Sequence, residues 1–337
     1  MAKKSVSFQD ILSNLRQKKY SPVYFLYGEE SYFIDRICDY LVNDVLTEAE
    51  KGFNLTVVYG KDTDSRSILA AARRYPMMSE YQVVLVKEAQ NLKDLEPLIS
   101  YLEKPVGSTI LVFAWKNKGP DGRTKFFKSL DAHVTFESKK LYDNEVPGWI
   151  SRHLAEQGYK ITEKASALIA ESIGADLGRI VHELDKVLLN MGDRKEITEK
   201  EVEEDIGISR EYNVFELQSA IARRDFNKAI RIVNYFSSSK NPFGKPVVLL
   251  GTLFGYFSKI LMVHSSPSKE ERSLAAFLGV SPFFIREYVA AARNYPAAKV
   301  EAVIEDLSLF DLKSKGVKGG SESEESLLKE LMIRIFS

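Results

Sequence analysis

The 337-residue sequence has one cysteine, Cys38, so no disulfide can form within the chain, which fits a reducing compartment. Histidine is scarce as well. His133, His153, His182 and His264 have no cysteine or carboxylate partner at zinc-like spacing, so each reads as structural and no metal or cofactor is expected. No G-x-S-x-G element and no Ser/His/Asp set is visible. Net charge is also missing: 47 Lys and Arg balance 47 Asp and Glu. That argues against binding nucleic acid by bulk electrostatics, although it leaves room for a local basic patch. The most apolar run, Pro246 to Ser258 between Lys245 and Lys259, is shorter than the ~20 apolar residues of a membrane span and reads as a buried helix. Near the start, Phe8, Ile11, Leu12 and Leu15 alternate with Gln9, Asp10 and Asn14, the pattern of an amphipathic helix and not of a signal peptide. A cytoplasmic protein without a membrane partner is expected.

At 45% apolar and 28% charged residues, the chain has the composition of a soluble globular protein with room for two or three domains. Up to about residue 140, strand and helix patterns alternate. Strands are expected at Val23–Tyr27, Leu55–Tyr59, Val83–Lys87, Thr109–Ala114 and Val134–Phe136, several of them apolar on both faces, as in a parallel sheet covered by helices. Helices are expected between them, at Tyr32–Leu46, Arg66–Tyr75, Leu92–Glu103 and Arg123–Leu130. After Phe136 the strand signal stops. Helices are expected at Asn144–Gln157, along the stripe Leu177, Ile180, Val181, Leu184, Val187, Leu188, and after Thr198, where Thr198-Glu199-Lys200-Glu201 fits a capping box. From Asn213 on the pattern is helical. Turns are expected at Ser237–Asn241, Ser265–Ser268, Gly279–Pro282 and Asn294–Pro296, a flexible loop at Gly316–Glu325, and a closing helix at Leu327–Phe336. The fold class is α/β plus all-α: an α/β domain at 1–140, a small helical domain at 141–210 and a helical bundle at 211–337.

A strand running through a glycine turn into a helix is the setting of a phosphate-binding loop, G-x-x-x-x-G-K-[ST]. With Gly28 as the first glycine, Phe33 stands at the second glycine, Ile34 at the lysine and Asp35 at the hydroxyl residue. Phenylalanine blocks close backbone approach and isoleucine brings no charge. Glu29, Glu30 and Asp35 put carboxylates where phosphate would sit at a helix N-terminus. The simpler alternative is a strand–turn–helix that never held phosphate. After the third strand, Lys87 and Glu88 occupy the place of the Asp-Glu pair that holds magnesium in P-loop ATPases, and a lysine there would repel the metal. No hydrolysis of ATP by this chain alone is expected.

Two further features carry surface chemistry. Met77 and Met78 follow Pro76 in a turn before the third strand. From these residues alone the pair is expected to tuck back onto the core; the alternative is an exposed apolar knob for a partner's pocket. Lys116, Lys118, Arg123, Lys125 and Lys128 cluster after the fourth strand. A solvated loop is the simplest reading, and a surface for other subunits or the DNA backbone is the sharper one.

In its order of motifs the chain resembles the delta subunits of the bacterial DNA polymerase III clamp loader. The resemblance rests on Pro22–Arg36, Pro76–Val86, Asp176–Asp205 and Tyr212–Leu217 with Ala220, Ile221 and Asp225. It continues in Leu278–Phe283, Asp311–Lys313 and Leu327-Leu328. It implies an AAA+ fold: a RecA-like domain with a five-stranded parallel sheet, a small helical lid and a C-terminal collar that holds the loader together. It also implies a non-catalytic part of the DNA polymerase III holoenzyme, a DNA-directed DNA polymerase. In such subunits an apolar pair before the third strand inserts into the beta sliding clamp and opens the ring. Matched through Gln82, that pair falls on Met77 and Met78, where other members often carry leucine and phenylalanine. The partners implied are the clamp, the tau/gamma ATPase subunits, delta prime and primer-template DNA. Active AAA+ relatives carry a sensor arginine in the lid. Aligned through Leu184-Asp185, that position holds Gly178, and the neighbouring Arg179 is not credited with the role. Two alternatives remain from other classes: a divergent P-loop ATPase acting on DNA, and a standalone DNA-binding module.

Overall fold

The computed structural model describes residues 6–117, 119, 121–209, 211–238, 242–268, 270–317 and 323–337. The chain divides into two compact units, Met1–Leu141 and Tyr142–Ser337. The helical segments expected as two domains, 141–210 and 211–337, both fall in the second unit.

The first unit is built on five parallel strands, β1 (Val23–Gly28), β2 (Leu55–Tyr59), β3 (Gln82–Lys87), β4 (Thr109–Lys116) and β5 (Val134–Ser138). Their order across the sheet is β2-β3-β4-β1-β5. The sequence places all five strands, to within two residues at each end. Successive side chains on a strand face opposite ways, so the three inner strands feed two cores. On one face Tyr24, Leu26, Val83, Leu85, Ile110 and Val112 pack against two helices, α1 (Phe8–Arg16) and α2 (Ser31–Asn43), through Ile11, Leu15, Ile34, Ile37 and Leu41. On the other, Val23, Phe25, Val84, Val86, Leu111 and Phe113 meet Ile68, Ala72, Leu98, Leu102 and Phe126.

The helices depart from expectation at their ends. The helix expected over Tyr32–Leu46 stops at Asn43, and a separate helix, α3 (Glu48–Asn54), follows. Thr47 starts it with a capping box in which the Glu50 carboxylate accepts from the Thr47 N–H. The second expected helix, Arg66–Tyr75, ends early: α4 spans Ser65–Ala72 instead of reaching Tyr75, because Tyr75 precedes proline. The helix expected at Leu92–Glu103 starts later, as α5 (Glu96–Glu103), and a 3₁₀ turn at Ala89–Asn91 precedes it. The one expected at Arg123–Leu130 shrinks to α6 (Lys125–Ser129), where Thr124 caps the Phe127 N–H.

In the second unit α7 (Val146–Glu156), α8 (Glu163–Ile173) and α9 (Leu177–Asn190) come first. Leu177, Ile180, Leu184 and Val187 are buried along α9, and the Thr198–Glu201 capping box opens α10 (Glu199–Glu201). The strand signal does not stop at β5, contrary to expectation: β6 (Lys160–Ile161) pairs with β7 (Glu196–Ile197), each too short to show a period. Among the described residues seven further α-helices follow: α11 (Val214–Ala222), α12 (Phe226–Ser238), α13 (Pro246–Ser265), α14 (Glu271–Leu278), α15 (Ile285–Asn294), α16 (Ala297–Ser314) and α17 (Glu324–Phe336). The apolar stretch expected to be too short for a span lies in α13, which at 20 residues is long and apolar enough to cross a membrane. Leu249, Leu253, Phe257 and Ile260 are nonetheless sealed in the core, and α13 packs along α15 and α16, as a buried helix does. The turn expected at Ser237–Asn241 runs into 239–241, outside the described residues. So does half of the loop expected at Gly316–Glu325, and Glu324 already belongs to α17.

Candidate functional site

β1 delivers the chain to Gly28, whose φ of +136° and packing both require glycine. A Cβ there would lie 2.1 Å from the Ser138 carbonyl oxygen. Only Glu29 and Glu30 separate Gly28 from the start of α2, so Phe33, Ile34 and Asp35 lie on the helix itself and not in a loop that can wrap a phosphate. Phe33 packs its ring 4.8 Å from Phe8, and Ile34 is sealed beneath the sheet. Glu30 is the N-cap. Its carboxylate accepts from the Tyr32 N–H at 2.9 Å, its own N–H donates to the Ser138 carbonyl at 3.2 Å, and the Ser138 hydroxyl donates to its carbonyl at 2.5 Å. The chain's own carboxylate thus stands where an anion would meet the helix N-terminus.

At the end of β3, Glu88 adopts a left-handed conformation (φ +49°) and accepts from Asn91 Nδ2 at 3.1 Å. The Lys87 carbonyl accepts from the Gly60 N–H at 2.8 Å. Beside them, Lys116 Nζ lies 2.8 Å from both carboxylate oxygens of Asp35. Lys116 therefore belongs to an ion pair and not to an open basic surface. Arg123 pairs with Asp121 at 2.9 Å and holds that carboxyl below its usual range. Lys125 and Lys128 are exposed on α6, and Lys118 lies outside the described residues. Burial, helped by Asp35 and Asp39, pushes the Cys38 thiol up to about 12, so this cysteine is an inert core residue. His133 Nε2 lies 2.7 Å from the Leu102 carbonyl and His264 Nε2 lies 2.8 Å from that of Tyr295, while His153 stacks on Trp149.

The methionine turn is built on buried polar groups. Gln82, 3% exposed at the start of β3, donates through Nε2 to Thr109 Oγ1 at 2.7 Å and to carbonyls at the end of α4, those of Ala71, Ala72 and Arg74. The Thr109 hydroxyl donates to the Ala72 carbonyl at 2.9 Å. These bonds satisfy the carbonyls a helix end leaves open. Asn54, 2% exposed, then grips the backbone of Met77 on both sides: Nδ2 donates to the Met77 carbonyl at 2.9 Å, and Oδ1 accepts from the Met77 N–H at 2.7 Å. Met77 is 59% exposed and Met78 fully exposed, with Met78 at φ +53°. The expected tuck onto the core is therefore overturned. Asn54 ties the Met77 backbone to the protein and leaves both side chains in solvent. Nothing in the sequence pairs Asn54 with a residue 23 positions away.

A family model for the DNA polymerase III delta subunit matches residues 24–139, and a second, for the C-terminal domain of that subunit, matches 211–335. The chain belongs to the DNA polymerase III delta subunit family. The first model spans both the glycine turn and the methionine turn. The DNA polymerase III subunit delta of Bacillus subtilis (strain 168) is 26% identical over 340 residues, which cover 97% of this chain and 96% of that one. Among solved structures, the Bacillus subtilis DNA clamp loader delta protein (YqeN) superposes with a TM-score of 0.56 at 24% identity, covering 98% of this chain and 99% of that one. The fold class expected of this family, a five-stranded parallel α/β domain followed by helices, is present.

Proposed function

We propose that this delta-family subunit binds a ring-shaped sliding clamp through Met77 and Met78 and opens it for loading onto primed DNA, without hydrolysing ATP itself. The observation that carries this reading is the pair of adjacent methionines held out in solvent on a braced turn. Large apolar side chains gain free energy by leaving water, and a soluble protein that exposes two together presents them to a partner. A glycine turn two residues long, capped by Glu30, supports the second half of the proposal, because it offers phosphate neither a cradle nor a charge. In the assembled loader, ATP would bind on the tau/gamma subunits, with delta prime and primer-template DNA as the further partners. The helices from 211 to 337 would form the collar that joins this chain to its neighbours.

Mixing the full chain with its cognate sliding clamp and sizing the product by light scattering tests the reading. A stable complex is expected, and failure to form one at tens of micromolar overturns it. Titration of the isolated chain with a fluorescent ATP analogue tests the second half: no saturable binding is expected, whereas micromolar binding would favour a divergent ATPase.

A further inference from the structure

Among the described residues of the first unit, every large apolar side chain exposed to solvent belongs to one of two segments. Phe53, Val57 and Tyr59 lie on α3 and the edge strand β2; Tyr75, Met77 and Met78 lie on the turn that enters β3. Asn54 joins the two segments. It is buried, it follows Phe53 directly, and both of its amide atoms are spent on the backbone of Met77. The Gln82 bonds reach Ala71, Ala72, Arg74 and Thr109 and not the methionines, so Asn54 is what holds the Met77 backbone. Met78 holds a left-handed backbone that methionine adopts only under constraint.

We propose that Asn54 is a positioning residue for the interaction surface: it fixes the Met77-Met78 turn in its binding conformation, so that a partner's pocket receives a tip already ordered. The inference rests on the clamp-binding reading above. A flexible loop must surrender backbone freedom when it docks, and a loop ordered beforehand does not. Asn54 touches no partner itself. It acts through Met77 alone, and that separates it from a residue that merely supports the fold.

The test uses three variants of the full chain, Asn54→Ala, Met77→Ala with Met78→Ala, and all three together. Clamp affinity is measured by calorimetry, and amide exchange is followed at Met77 and in β3. Asn54→Ala is expected to weaken clamp binding about tenfold, in line with two lost backbone hydrogen bonds. It should speed exchange of the Met77 amide while Val84 and Leu85 stay protected. In the triple variant the Asn54 change should add nothing to the loss caused by the methionine pair, because both act through the same contact. Clamp affinity within twofold of wild type for Asn54→Ala, with the methionine variant weakened, overturns the positioning role and leaves the clamp reading standing. A further tenfold loss in the triple variant overturns it too, since Asn54 would then act on the fold at large. Unchanged affinity in the methionine variant overturns both. If Asn54→Ala does not fold, Asn54→Asp keeps the acceptor for the Met77 N–H, removes the donor to its carbonyl and carries the same outcomes.

Discussion

Replacing Met77 and Met78 together by alanine separates two roles that apolar side chains can have. In the free subunit Met78 is fully exposed and Met77 more than half exposed, so neither contributes much to the core. Surface changes of this kind shift stability by no more than about 0.5 kcal/mol, so the melting temperature should move by less than about 2 °C. In the complex the balance reverses. Burying a methionine side chain contributes about 1.5–3 kcal/mol, and fixing its rotamers costs about 0.5–1.5 kcal/mol. For the pair the net loss on truncation comes to about 2–4 kcal/mol, or roughly 30- to 1,000-fold in affinity. Isothermal titration with the clamp, paired with thermal melts of the free chain, measures both sides. An affinity within threefold of wild type would refute the reasoning. So would a fall in melting temperature beyond about 5 °C, because the methionines would then be packing inside the protein. The left-handed backbone at Met78 gives an internal control. Glycine relieves a conformational cost of about 1 kcal/mol that alanine retains. The Met77→Ala, Met78→Gly variant should therefore melt at or above the double alanine variant and bind the clamp as weakly.

Two other expectations concern the fold. Gly28→Ala forces a Cβ to 2.1 Å from the Ser138 carbonyl at a φ of +136°, so it should cost more than about 3 kcal/mol in urea unfolding, and wild-type stability would refute the account of that turn. In the second unit, Glu216 is half withdrawn from water, which by itself would raise its carboxyl. The ammonium groups of Lys228 at 2.6 Å and Lys164 at 2.9 Å outweigh that and hold it below its usual value. A carboxyl depressed in the folded state contributes stability that is present above its unfolded pKa, about 4.3, and lost as pH falls through the folded value. Glu216→Gln should therefore cost about 1–3 kcal/mol at pH 7 and flatten the decline below pH 4. Equal stability of the two proteins at pH 7 would show that the two lysines do not stabilise the fold through Glu216.

The parts legible in the sequence are those set by short-range chemistry. Val83–Val86 and Ile110–Ala114 are apolar at every position because both faces of the sheet are covered, and the Thr198–Glu201 box marks a helix start within four residues. Helix α8 escaped notice because its buried stripe is largely small, with Ala165, Ser166 and Ala167 sealed ahead of Leu168 and Ile169. β6 and β7 have two residues each, and no period fits in two residues. At the candidate site the substitutions at Phe33, Ile34 and Asp35 could be read directly. The start of α2 at Ser31 was legible too, to within one residue, whereas the Glu30 cap and its bonds to Ser138, 108 residues away, were not. The exposure of the methionines depended on Asn54, a contact across 23 residues that no local pattern encodes.

The two features sit at opposite ends of one sheet. Parallel α/β sheets receive ligands at the carboxyl ends of their strands, where loops are free to vary and helix N-termini face the crevice. Here that end is filled from within: Glu30 caps α2, and Asp35 pairs with Lys116 beside the ends of β1 and β4. The methionine turn instead leads into the first residue of β3 and so lies at the amino ends, about 20 Å away along a six-residue strand. The capped glycine turn and the methionine turn thus use different residues and place no steric demand on each other. Between them the sheet is buried on both sides, with Val84 and Val86 on one face and Val83 and Leu85 on the other. Asn54, the last residue before β2, ties the tip to the edge of that sheet, so the methionines are held in register with its amino ends.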